Sequence, residues 1–178
     1  MLVSVLVGSS QALACSLHVT SFNSFFTETY PGSLSVAMAV GNARVQNRLP
    51  GEPLDNGEPG LLRASATLKK LGHQFNKAGE SPKADFFLIF AGQQLWTYYR
   101  AKKSGSRPAY AVHVHTGEPM HDVPVVVTSY LVLRALQDGV MTFDEALKGG
   151  LIQVRNDRQG NIGTMFNEAF KGFNVVSG

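Results

Sequence analysis

The 178 residues suffice for one domain, and a composition of 44% hydrophobic and 16% charged residues excludes an intrinsically disordered chain. Eighteen glycines without a G-X-Y period exclude collagen, and a single cysteine excludes a disulfide scaffold or a multi-cysteine zinc module. The net charge of +3 is spread as eleven Lys/Arg against five Asp/Glu between Arg44 and Arg107, with a small acidic excess elsewhere, too loose a cluster to predict nucleic-acid binding.

In chain order, residues 1–27 carry no charged side chain, and Met1 to Val7 is almost wholly apolar. Small residues at Ala12 and Ala14 precede Cys15, which fits the A-x-A pattern cleaved at the end of a secretory signal. The expectation is a signal peptide over 1–14, although the positive n-region of such signals is missing, the first basic residue being Arg44. Cleavage there makes Cys15 a free thiol, a bridge to another chain, or a lipid-modified cysteine as in bacterial lipoproteins. The expected location is therefore periplasmic or secreted, with a membrane-anchored lipoprotein as the alternative. No apolar run reaches the length of about 18 residues that spans a bilayer.

Residues 15–60 form an N-terminal extension. Phe22 to Tyr30 is aromatic, and Tyr30-Pro31-Gly32 is a turn that hands over to Ser33 as an expected N-cap. A helix is expected over about 33–48, with mainly small apolar residues (Ala37, Ala39, Gly41, Ala43) that permit close approach to another element. Residues 49–60 hold three prolines and three glycines and predict a loop. From Leu61, apolar residues recur at Ala64, Leu68, Leu71, Phe75 and Ala78, the period of an amphipathic helix.

The apolar run Phe86 to Phe90 and the run Leu95 to Arg100, joined by Ala91-Gly92-Gln93, predict a hairpin. Further strands are expected at Tyr110 to His115, at Val123 to Val127 and at Leu151 to Val154. Between the last two, Thr128 or Ser129 caps a helix ended by Gly139, and Thr142 with Glu145 forms a capping box for a short helix closed by Gly149-Gly150. Asn161 opens a last helix with Ile162, Met165, Phe166, Ala169 and Phe170 on its apolar side. This order predicts an α+β domain over 61–178, packed with the extension as one unit around a five-stranded, mostly antiparallel sheet covered by helices.

The stretch Val125 to Phe170 resembles the C-terminal part of the sterol carrier protein type 2 fold. The matching residues are Leu131, Leu136, Gly139, Ala146, Gly150, Ile152, Val154 and Phe166, and the order of elements agrees over about 61–171. The resemblance implies an apolar tunnel between sheet and helices that takes a lipid or another apolar small molecule, lined by Trp96, Tyr98, Leu131, Leu136, Met165, Phe166 and Phe170. The sequence departs from that family in its leader, in its extension and in Asn156 to Gly160 after the fifth strand.

His113 and His115 lie two apart on an expected strand and so share a side, with His121 and Met120 nearby; this is the alternative reading, a copper or zinc protein. The basic loop from Arg100 to Arg107 supports a third, an interaction module. The chain lacks G-x-S-x-G, H-E-x-x-H and a lysine-bearing phosphate loop, so the sequence predicts a non-enzymatic protein without a cofactor.

Overall fold

The computed structural model describes residues 30–51, 58–77, 84–92, 95–101, 112–113 and 122–171. The expected leader, Cys15, residues 52–57 and 102–111, His115 and His121 lie outside the described residues.

Helix α1 spans Ser33–Val45 and α2 spans Glu58–Lys77. Strands β1 (Phe86–Phe90) and β2 (Leu95–Tyr99) follow, then the two-residue strand β3 (Val112–His113) and β4 (Val125–Thr128). The chain closes with α3 (Tyr130–Gln137), α4 (Phe143–Lys148), β5 (Gln153–Arg155) and α5 (Asn161–Phe170). The sheet is mixed, in the order β3-β2-β1-β4-β5, and the short β3 only edges the four longer strands. β1 pairs antiparallel with β2 and parallel with β4, while β2–β3 and β4–β5 are antiparallel. The expectation of a mostly antiparallel sheet is thus qualified by a parallel pair at its centre. The chain leaves β3 at one edge and re-enters beyond β1, which imposes a crossover instead of a hairpin.

Every residue of β1 and β4 is buried, as a strand covered on both faces requires. One face carries Phe86, Leu88 and Tyr99. Phe86 stacks on Tyr99 at 4.8 Å, Phe75 of α2 meets both edge-on at 6.1 and 6.0 Å, and Phe166 of α5 lies 5.9 Å from Phe86. The Tyr99 hydroxyl donates to the Leu68 carbonyl of α2 at 3.2 Å, which supplies the partner a buried phenol needs. A buried amide pair joins α2 to α3: Gln137 Nε2 donates to the Thr67 carbonyl and to Gln74 Oε1, both at 3.1 Å. Against the other face, α1 packs on β4 and buries Val36, Val40 and Ala43 in the same core.

Several element ends differ from the expectations for local reasons. α1 stops at Val45, not Arg48, because Asn47 takes a left-handed conformation at φ 54° and the Arg48 N–H turns back to the Ala43 carbonyl. Gly32, at φ 95°, occupies the N-cap instead of Ser33, whose Oγ accepts from the Tyr30 N–H and donates to the Tyr30 carbonyl. α2 begins at Glu58 within the expected loop, since a proline in a first helical turn has no bonded N–H to forfeit. β5 starts two residues later than expected because the Leu151 and Ile152 N–H groups close α4 by bonding to the Ala146 carbonyl.

Other caps follow the sequence. Ser129 Oγ accepts from Leu131 N–H, and Thr128 instead ties β4 to the Leu151 carbonyl at 3.1 Å. Thr142 and Glu145 form both halves of the capping box. The Asp157 carboxylate accepts from the Asn161 and Ile162 N–H groups, which gives the segment after β5 a role as the cap of α5.

Replacing Phe166 by Ala removes a ring that meets four others and is expected to cost about 3–5 kcal/mol in urea unfolding. Leu62→Ala, at a side chain 64% exposed on α2, should stay within about 0.5 kcal/mol. Equal losses at the two positions would contradict this packing.

Candidate functional site

The seven residues expected to line a tunnel do not share one space. Along β2, Leu95, Thr97 and Tyr99 face α2 and α5, so by strand alternation Trp96 and Tyr98 face the opposite side. Trp96 meets the Tyr30 ring edge-on at 6.0 Å just before α1, and Tyr98 lies 4.8 Å from Phe87. Met165, Phe166 and Phe170 belong to the other layer, where Phe166 is 5.4 Å from Phe75, 4.8 Å from Phe143 and 6.1 Å from Phe170. Leu131 and Leu136 are fully buried in α3. The sheet separates the two groups, and aromatic rings fill the layer beneath α5. A count of aromatic residues hides this division, whereas the period-2 alternation of β2 carries it.

Of the histidines expected to hold copper or zinc, His113 belongs to β3, with its backbone opposite Thr97, and His115 and His121 lie outside the described residues. Among the described residues, no group of three His, Cys, Asp or Glu side chains is placed to hold a metal ion. No helix among them is long and apolar enough to cross a membrane.

A polar cluster closes the Tyr98 side. The Tyr98 hydroxyl donates to Asp85 Oδ2, the Ala101 N–H donates to Asp85 Oδ1 at 2.7 Å, and the Arg100 guanidinium lies 5.9 Å from the Tyr98 ring centre. Burial, and then the hydrogen bond and negative charge of Asp85, push the Tyr98 phenol up to about 12. This arrangement pins the β1 entrance to the β2 exit.

The surface feature that the sequence reading missed is on α1. Its buried residues Val36, Val40 and Ala43 form one stripe; opposite them run Leu34, Met38, Gly41 and Val45, at steps of 4, 3 and 4. Leu34, Met38 and Val45 are 53%, 63% and 85% exposed. The helix is therefore apolar on two sides, and only one of them faces the core. At the C-terminal end of this stripe an open groove of about 720 Å³ is lined by Gly41, Arg44, Val45, Asn47, Leu49, Pro50 and Gly51. Val45 and Pro50 give this groove an apolar rim beside Arg44. The signal was present in the spacing 34, 38, 41, 45, but the small residues around it read as a packing device.

No family model, no curated protein and no solved structure matches the chain.

The raised Tyr98 phenol makes a stability prediction with a definite sign. A folded-state value above the ordinary 10.0 contributes stability that is complete below pH 10 and is lost as pH rises through about 12. Tyr99, pushed upward by burial, acts in the same direction. Tyr98→Phe is expected to lose about 1–2 kcal/mol at neutral pH and to show a shallower alkaline decline in urea midpoints, the Tyr99 share remaining. An alkaline decline as steep as in the parent chain would contradict the assignment.

Proposed function

We propose that the protein is an exported, non-enzymatic binding protein for a lipid or another apolar small molecule, and that the ligand occupies the groove at the end of α1. The observation that carries this reading is the groove itself, in which Val45 and Pro50 offer apolar surface next to Arg44. The groove is open and its volume is about 720 Å³. Desolvation of the hydrocarbon part drives binding, and a charge-assisted contact from Arg44 orients a carboxylate or phosphate end. Export rests on the leader pattern at 1–14, and anchoring on a lipid at Cys15 is its membrane-attached variant.

Palmitate serves as the probe, titrated into the full chain and read by native mass spectrometry and calorimetry. A side chain at Gly41 enters space where no atom lies within 4 Å, so Gly41→Phe fills the groove without a backbone clash. This variant is expected to weaken palmitate binding by about tenfold or more while its unfolding temperature holds. Arg44→Gln should weaken palmitate but not its methyl ester. Palmitate bound equally well by Gly41→Phe overturns the placement, and no binding by the parent chain overturns the function. Intact mass of the exported protein is expected to begin at Cys15; an uncleaved leader would contradict the export reading.

A further inference from the structure

We infer that the outer stripe of α1 docks on an anionic phospholipid bilayer, with Leu34, Met38 and Val45 entering the boundary between headgroups and acyl chains. The inference rests on the reading of the chain as an exported lipid binder and names the surface on which that binding takes place.

Three observations carry it. Leu34, Met38 and Val45 protrude on one line of α1, opposite the stripe that packs on β4, and that line is about 16 Å long at the rise of an α-helix. A row of large exposed apolar side chains facing away from the core marks a contact surface. Within residues 30–51 the charged side chains are Arg44 and Arg48, both near the C-terminal end of α1. At the other end of the helix, the Arg155 guanidinium on β5 lies beside Gly32.

At a membrane interface, burial of exposed hydrocarbon and attraction of nearby guanidiniums to anionic headgroups add.

A second copy of the chain fits this surface less well. A two-fold contact through α1 would face arginine with arginine, and one line of side chains falls well short of the roughly 800 Å² per partner of a stable dimer. A bilayer also agrees with the candidate acyl anchor at Cys15, eighteen residues before Ser33, because a single acyl chain holds a protein only marginally and stable attachment needs a second signal.

The test is co-sedimentation of the full chain with vesicles of phosphatidylcholine containing phosphatidylglycerol, against phosphatidylcholine alone. The parent chain is expected to bind the anionic vesicles preferentially. Leu34→Asp, Met38→Asp and Val45→Asp combined should weaken that binding by about a hundredfold, and Arg44→Gln with Arg48→Gln by about tenfold or more. Val140→Asp, at a side chain 60% exposed beyond α3, serves as the matched control and should leave binding unchanged. Thermal unfolding of each variant keeps loss of fold apart from loss of docking.

Equal binding to both vesicle types, or a triple variant that binds like the parent, overturns the inference. A dimer in sedimentation velocity that the triple variant dissolves, without vesicle binding, overturns it in favour of a second copy. Palmitate binding kept by Leu34→Asp with Met38→Asp, two positions outside the groove lining, while vesicle docking is lost separates the fate of this surface from that of the groove.

Discussion

The constraint on which the structure depends is that β1 is buried on both of its faces. Phe86 to Phe90 has no polar side chain to offer to water, so the chain must supply a covering layer on each side of the sheet. α2 and α5 provide one layer through Phe75 and Phe166. α1 provides the other through Val36, Val40 and Ala43. The parallel pairing of β4 follows from the same demand, because a second wholly apolar strand, Val125 to Val127, is best hidden beside the first. Three polar side chains enter the core with partners, Tyr99 on Leu68, Thr128 on Leu151 and Gln137 on Thr67, whereas Thr97 Oγ1 is buried without one among the described residues.

Because the covering role of α1 uses only one of its sides, its other side is free to serve a second purpose. A helix that merely covers a sheet needs one apolar stripe and a polar back. α1 instead has Leu34, Met38 and Val45 on its back, with arginines at its end and no carboxylate between Tyr30 and Gly51. The function proposed above is placed where the structure departs from what stability alone requires, not in the aromatic layer under α5, which is densely packed. The groove and the stripe are continuous through Gly41 and Val45, so a molecule taken from a membrane surface would meet both.

The sequence was most informative where local physics decides. The steps of α2, the Thr142–Glu145 capping box and the glycine at the end of α3 are properties of neighbouring residues, and the structure has each of them. It was least informative where distant hydrogen bonds compete. Asn47 ends α1 by a left-handed turn, the Ala146 carbonyl draws Leu151 and Ile152 out of β5, and the parallel β1–β4 pair depends on a crossover that no local pattern encodes. The grouping of Trp96 with Phe166 failed for a different reason: shared aromatic character does not indicate which side of a sheet a ring takes, and alternation along β2 does. The apolar and glycine positions behind the expected tunnel include no chemical group that would have tested the ligand.

The account turns on the orientation of α1, and hydroxyl-radical footprinting of the free full chain reads that orientation residue by residue. Leu34, Met38 and Val45 are expected to oxidise readily, while Val36 and Val40 in the same helix, together with Trp96 beneath the Tyr30 ring, are protected. Protection of Leu34, Met38 and Val45 with oxidation of Val36 and Val40 would contradict the layer assignment and, with it, the surface on which the function is placed.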